Sequence, residues 1–425
     1  MTDRRLPNAP LRAVRESEFQ MSRQEFAALI VATGQEIGEA VGCTSRLVAA
    51  WEDGEVTLPR PVYRRILTSL TGRPPHALGF RTATLPSRGQ APKDRRTVLA
   101  GGAAVTLSLL PVRAVTGKVP GRIGAADVRA VDRAVITLYA HDHDHGSAAL
   151  RQDAARALNT AYQWFHDGEY TDRTGKRLRA ATGYLSIAAG WLSYDSGRVS
   201  DARSLYGEAL AAARIADDPG LEGHAFGCLS LLAKASGRPR EAIAAAQGAQ
   251  RAVRTYGSPR MLSLFAMREA GGWALLGDRA AADQSIVRAH HLYAQGPREG
   301  ADPAWLEFFT PGELAGLEAL ARADLDQHDR AAAGAEQAVL LHGEAFARNR
   351  ALYEADVAIQ HAVRERPEPE AAAEAAGRVL AYLPEVRSDR LLQQLHNVES
   401  ALQRHTAVPA VSDWLEKYRA TTGVS

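Results

Sequence analysis

The feature that most constrains this chain is a repeat in its C-terminal three quarters. Gly197-Arg198, Gly237-Arg238 and Gly277-Asp278 recur at intervals of 40 residues, and an alanine stands five positions after each glycine, at Ala202, Ala242 and Ala282. Tyr206, Ala246 and Ile286 lie four residues further on, and Ala209, Ala249 and Ala289 three beyond those. Steps of four and then three stay on one face of an α-helix. Each copy therefore offers a stripe of mostly small residues on which a second helix can lie closely. The partner helix stands upstream of each glycine, in Trp191-Leu192, Leu231-Leu232, and Trp273 with Leu275-Leu276. A glycine between two helices supplies the break. Weaker copies are expected to begin at His328-Asp329 with Ala333, and near Arg366 with Ala371.

Helix pairs repeated in this way stack into an α-solenoid of the tetratricopeptide-like kind, here with a period longer than the usual value of about 34. Alanine supplies 14 of the 50 residues from Asp201 to Gln250, and strand-like alternation is not sustained. The fold expected is all-α. With 46% hydrophobic and 24% charged residues the 425-residue chain has the make-up of a folded protein, which excludes disorder as its main state. Cys43 and Cys228 are the only cysteines; a disulfide framework is excluded, and a reducing cytoplasm is the compartment that fits.

Texture divides the chain into three. Residues 8–80 alternate charged and apolar positions at helical spacing, residues 81–125 are a linker rich in breakers (Pro86, Gly89, Pro92, Pro111, Gly117, Pro120), and residues 126–425 hold the repeats. The net charge is +2, but residues 1–96 carry 15 basic and 10 acidic residues while the remainder carries 36 and 39. The basic excess thus sits at the N-terminus, where a polyanion would be met.

The N-terminal segment contains one constellation with specific chemistry. Ser22 is placed to cap a helix whose apolar face is Phe26, Leu29 and Ile30. Thr44 is placed to cap a second, shorter helix with Leu47, Val48 and Trp51 on its buried side, and Gly54 supplies a left-handed stop. The opposite side of that short helix offers Ser45, Arg46, Ala49 and Ala50. A helix anchored from behind, with a small polar front, suits the major groove of DNA. A third helix carries Ile66, Leu67 and Leu70 on its buried stripe, with Arg60, Tyr63, Arg64 and Arg65 around its start, where phosphates would be held.

These residues resemble the lambda-repressor/Cro-type (XRE) helix-turn-helix family, above all in Val48-x-x-Trp51-Glu52-x-Gly54. Gln24-Glu25-Phe26-Ala27, Thr44-x-Arg46-Leu47-Val48-x-x-Trp51-Glu52 and Arg60-Pro61-x-Tyr63-Arg64-Arg65 are similar to actinobacterial regulators that join this domain to a tetratricopeptide-like region. Asp144-x-Gly146 and Ala189-Gly190-Trp191-Leu192-x-Tyr194-Asp195 resemble the start of that family's C-terminal part. The resemblance implies a cytoplasmic transcriptional regulator. It places base contacts at Ser45, Arg46 and Ala50, and phosphate contacts at Thr44, Gln24, Arg60, Tyr63 and Arg64. The stretch Val31–Gly42 exceeds the family's usual turn. The first DNA-reading helix is therefore either Ser22–Thr33 with an extended connection or Gln35–Val41, and the cap at Ser22 favours the former.

Other signals point less far. His141-Asp142-His143-Asp144-His145 suggests a metal site, but alternate residues splay apart on a helix, and a helix end with histidines near its last carbonyls is the reading preferred. Arg95-Arg96 followed by the apolar run Thr97–Val112 looks like an export signal, yet it is internal, and its 16 residues fall short of the roughly 20 that span a bilayer. His290 and His291 are adjacent and diverge around a helix. Trp305, Phe308 and Phe309 are either core or the lining of the solenoid's concave face. No phosphate-binding loop, metalloprotease or serine-hydrolase motif occurs.

The reading is an all-helical, non-enzymatic DNA-binding regulator without metal or cofactor. It acts as a homodimer on double-stranded DNA, because one small domain exposes few base-reading groups. Its solenoid receives a peptide, small molecule or protein. The alternative is an interaction scaffold near a membrane, with the N-terminal domain used for protein docking.

Overall fold

A computed structural model describes residues 7–36, 42–54, 61–73, 77–80, 121–145, 150–255, 258–296, 302–342, 346–384 and 388–422, with single positions at 56, 59, 75, 115 and 386. They belong to two compact units, one within Met1–Ala114 and one within Val115–Ser425. Both are helical. Among the described residues there is no β-strand, only an isolated bridge between Arg122 and Glu169.

In the first unit α1 (Ala9–Ala13) starts at Asn8, whose side chain accepts from the Leu11 amide, and continues as a wide turn through Val14–Glu18. The next helix, α2 (Arg23–Glu36), opens with a reciprocal cap: the Glu25 amide donates to Ser22 Oγ at 3.3 Å and the Ser22 amide donates to Glu25 Oε2 at 2.8 Å. The helix capped by Ser22 forms and runs unbroken from Arg23 to Glu36, so Gln35 continues it. Residues 37–41 of the alternative lie outside the described residues. Thr44 caps α3 (Ser45–Glu52), and Gly54 ends it at φ 72°, a left-handed conformation that favours glycine. The last helix of the unit is α4 (Pro61–Thr71).

Their apolar faces meet in one core of Leu11, Phe26, Ile30, Val48, Trp51, Ile66 and Leu67, while Leu29, Leu47 and Leu70 are half-buried. At its centre Trp51 stands edge-on to Tyr63 and Phe80, with ring centroids 5.2 and 6.3 Å away.

The second unit starts with α5 (Ala125–His145) and α6 (Arg151–Asp167). Hairpin pairs follow: α7 (Asp172–Asp195) with α8 (Val199–Ala216), α9 (Pro219–Ala235) with α10 (Pro239–Val253), and α11 (Pro259–Leu276) with α12 (Arg279–Ala294). After a short 3₁₀ turn at Ala304–Phe308 come α13 (Pro311–Asp324) with α14 (His328–Leu341), and α15 (Ala347–Val363) with α16 (Pro369–Leu380). Finally α17 (Asp389–Leu402) lies on α15 and α18 (Pro409–Thr422) on α16, continuing the two layers of a tetratricopeptide-like solenoid.

The repeat residues do what their spacing requires. Ala202, Tyr206, Ala209, Ala242, Ala246, Ala249, Ala282 and Ala289 are fully buried and Ile286 nearly so. Gly197, Gly237 and Gly277 all have φ between 67° and 83°. In each turn the next residue closes a six-residue hydrogen-bonded loop, as when the Arg198 amide donates to the Ser193 carbonyl at 2.8 Å.

The register of the later copies differs from expectation. The fourth turn is made by Asp326, left-handed at φ 57°, and Gln327 donates to the Arg322 carbonyl at 2.9 Å just as Arg198 does to Ser193. Ala331, Ala335 and Ala338 are the buried stripe, whereas Ala333 is exposed. In the fifth copy Ala372, Ala376 and Val379 are buried and Ala371 is only half-buried. The cause is an insertion: Gly277 to Asp326 spans 49 residues rather than 40, and the extra length contains the Ala304–Phe308 turn.

The solenoid curls until its beginning meets its end. Asp142 on α5 accepts from Trp191 Nε1 at 2.7 Å and pairs with Arg348 Nη1 of α15 at 2.6 Å. Asp195, at the end of α7, accepts from Ser388 Oγ at 3.0 Å and lies 3.7 Å from Arg390 Nη1. Asp142, Asp195 and Arg348 are almost completely buried. Each is tolerated there only because opposite charge and hydrogen bonds surround it.

Candidate nucleic-acid interface

The site is built on α3. Val48, Trp51 and Glu52 stand at i, i+3 and i+4 and form its buried back. Trp51 and Val48 meet the apolar core; Glu52 meets arginines. Its carboxylate accepts from Arg15 Nε at 2.6 Å and Nη2 at 3.2 Å, and from Arg23 Nε at 2.8 Å, with Arg12 Nε at 3.6 Å. Arg15 also donates to the Met21 carbonyl and to Glu16. Burial by itself would raise the Glu52 carboxyl, but the hydrogen bonds from Arg15 and Arg23 outweigh it and hold the group below the usual glutamate range. The same hydrogen bond to Glu52 raises the Arg15 guanidinium. One carboxylate thus ties the Val14–Glu18 turn and the start of α2 to the end of α3.

The front of α3 carries the residues singled out by sequence. Thr44 is exposed while its hydroxyl oxygen accepts from the Leu47 amide at 3.3 Å. Ser45 and Arg46 are exposed, and Ala49 and Ala50 are half-buried. Arg46 and Ala50 stand one turn apart on one face. Tyr63 of α4 donates its hydroxyl proton to the Gly42 carbonyl at 3.1 Å, which sets the start of α4 beside the start of α3. To give that proton to a phosphate, Tyr63 must first release Gly42. Arg64 is half-buried. Gln24 is exposed on the first turn of α2, next to Arg23, which the Glu52 pair holds at the far end of α3. Arg60 lies outside the described residues.

Six of the described arginines of this unit fall into two groups. Arg12, Arg15, Arg23 and Arg73 each face a carboxylate. Arg46 and Arg64 have no acidic or hydrogen-bonding partner among the described residues, and Arg64 Nε is buried without one. Helix α1 and the Glu52 cluster are absent from the sequence expectations. The signal was present, since Glu52 stands four residues after Val48 and so shares its buried face.

The helix α5 ends at His145, as expected for the histidine-rich run, and its Asp142 is a buried structural residue. The side chains of His141, His143, Asp144 and His145 are outside the described residues, and among those described no three potential metal ligands cluster. His290 Nε2 faces Glu318 Oε2 at 2.7 Å. Phe309 is fully buried and Phe308 packs against the same core, whereas Trp305 stacks on His224 with ring centroids 3.6 Å apart. The run Thr97–Val112 lies outside the described residues; among those described no helix is long and apolar enough to cross a membrane.

No family model and no curated protein matches the chain. Among solved structures, it is similar to a Signal Transduction ATPase with Numerous Domains protein with a tetratricopeptide repeat sensor from Pyrococcus horikoshii, at 14% identity and a TM-score of 0.29. The match covers 70% of this chain and 55% of that one, so the chain spans about half that protein's length. The solenoid described above rests on its own helices.

Proposed function

We propose that this chain is a DNA-binding transcriptional regulator, an XRE-type helix-turn-helix domain joined to a tetratricopeptide-like sensor as in the actinobacterial regulators it resembles, acting in the cytoplasm without catalysis. The supporting observation is the sorting of its arginines: those behind α3 are neutralised by carboxylates, while Arg46 on its front and Arg64 beside it carry unpaired charge. In this reading α3 enters the major groove, and Arg46 takes O6 and N7 of a guanine together. Ser45 and Ala50 meet neighbouring base edges, and Gln24, Thr44, Arg60, Tyr63 and Arg64 hold phosphates. Two copies, reading two half-sites, supply affinity that one small unit lacks. The solenoid binds a peptide, a small molecule or a protein. That ligand affects DNA binding only if it prefers one arrangement of the two DNA-reading heads.

The test is selection of bound fragments from random duplexes by the full chain, followed by titration of the enriched sequence in rising salt. The reading expects a recurring motif, arranged as two half-sites, and affinity that falls steeply with salt while its sequence preference persists. Failure to enrich any motif, with no dependence on salt, removes the reading in favour of protein docking.

A further inference from the structure

The insertion that breaks the 40-residue period carries Trp305, and it is firmly built. Arg260, on the first turn of α11, donates to the Phe309 carbonyl at 2.6 Å and pairs with Asp302 at 3.1 Å, and Ser258 Oγ donates to Asp302 at 2.5 Å. Leu306 and Phe309 of the same stretch are fully buried. The insertion thus presents the Trp305 indole face to face with the His224 imidazole of α9, at 3.6 Å and 11°. Insertions in repeat proteins tend to gather on the binding face.

Three nitrogens here are buried without a hydrogen-bond partner: His224 Nδ1, Trp305 Nε1 and Arg268 Nε of α11. His224 is itself 93% buried, with 7% of its surface exposed. Arg268 lies near enough to His224 to disfavour its protonation, and no carboxylate faces Arg268 among the described residues. Arg268 and Trp305 are half-buried as residues, yet three enclosed nitrogens with nothing to accept from them are an expensive arrangement. Arg268 Nε and Trp305 Nε1 can only donate. Burial pushes His224 down to about 3, so at neutral pH the ring carries no charge and its Nδ1 donates as one tautomer. These three side chains together carry a charge of +1, from Arg268. A monoanion balances it, whereas a dianion would leave charge uncompensated beside the buried His224.

We propose that Arg268, Trp305 and His224 form a receptor for a carboxylate, and that the ligand of the solenoid is an organic acid or a peptide presenting one. This deepens the sensor reading given above and rests on it. Arg268 supplies the charge, Trp305 the second donor, and the stacked His224 fixes the indole's angle.

The experiment follows the Trp305 indole N–H of the full-length protein by NMR, assigned by its loss in Trp305→Phe. The probes, at constant ionic strength, are sodium benzoate, an N-acetylated dipeptide with a free C-terminal carboxylate, the same dipeptide amidated, and inorganic phosphate. Saturable movement with benzoate or the free-acid dipeptide, but not the amide, is expected; benzoate alone identifies a small acid as the source, and the dipeptide a chain terminus. Arg268→Gln weakens that binding at least tenfold. If this variant melts early, Arg268→Lys, which keeps the charge and loses the Nε donor, still weakens it. An unmoved Trp305 signal, equal binding by the amide, or tighter binding of phosphate overturns the proposal. Duplex affinity, measured in parallel, separates the two claims. Carboxylate binding that leaves DNA affinity unchanged removes the sensor reading and keeps the site. A compound that changes DNA affinity without moving Trp305 keeps the reading and removes the site.

Discussion

Replacing Glu52 by glutamine should unfasten the N-terminal unit without touching its DNA-facing residues. Glu52 is fully buried and takes three charge-assisted hydrogen bonds of 2.6, 2.8 and 3.2 Å from Arg15 and Arg23. Removing one partner of a buried pair costs about 3–5 kcal/mol, because the other charge is stranded. The lower end applies here, since Arg15 keeps Glu16 and the Met21 carbonyl while Arg23 keeps Asp53 at 3.4 Å. A loss of about 3 kcal/mol lowers the melting temperature of a unit this size by roughly 12–24 °C. Calorimetry of the full chain reads the shift directly.

Acidity gives a second handle on the same residue. Because Glu52 is held below its unfolded value, its contribution is complete above the ordinary glutamate pKa, about 4.3, and is lost as pH falls through the lowered folded value. Glu52→Gln should lack that part of the acid transition. A change below about 1 kcal/mol, typical of an exposed ion pair, with the acid limb unaltered, would refute the argument.

Two further perturbations test the solenoid. Arg348→Met strands the buried Asp142, while Asp195 keeps Ser388 and Arg390, and should cost about 3–5 kcal/mol; adding Asp142→Asn should recover much of it, and a non-recovering double variant in thermal denaturation would contradict the ion-pair account. Asp356, raised to about 7 mainly by burial, keeps its proton in the fold at pH values where the unfolded chain has lost it. Stability should therefore fall between about pH 4 and 7, by at most about 4 kcal/mol, and Asp356→Asn should flatten that slope in urea titrations at successive pH values.

Much of this was legible in the sequence for a physical reason: residues that act through local periodicity show their role locally. The stripe Ala202, Tyr206, Ala209 and its two copies, the cap at Ser22, the buried back of α3 and the stop at Gly54 all depend on neighbours within one helical turn. The fourth register was lost because an insertion shifted it and aspartate replaced glycine in the left-handed turn. The clasp between Asp142 and Arg348 joins residues 206 apart, and no local pattern marks such a pair. No local pattern marks Arg15 and Glu52 as buried, because their burial depends on each other across 37 residues. Trp305 gave no sign of its partner His224, since the contact depends on how far the inserted turn folds back. For the DNA-facing residues, the sequence supplied identity and helix face, while the pairing that leaves Arg46 and Arg64 unneutralised required coordinates.

The most direct measurement is the ratio of affinities for a selected duplex and a scrambled one, taken across a salt series for the full chain, Arg46→Ala and Arg64→Ala. If α3 reads bases, Arg46→Ala collapses the ratio by roughly 5–150-fold, equivalent to 1–3 kcal/mol. Arg64→Ala weakens both duplexes alike and reduces the salt slope by about one. Equal loss on both duplexes for Arg46→Ala, with its salt slope reduced as for Arg64→Ala, would make Arg46 one more phosphate contact and contradict the central claim.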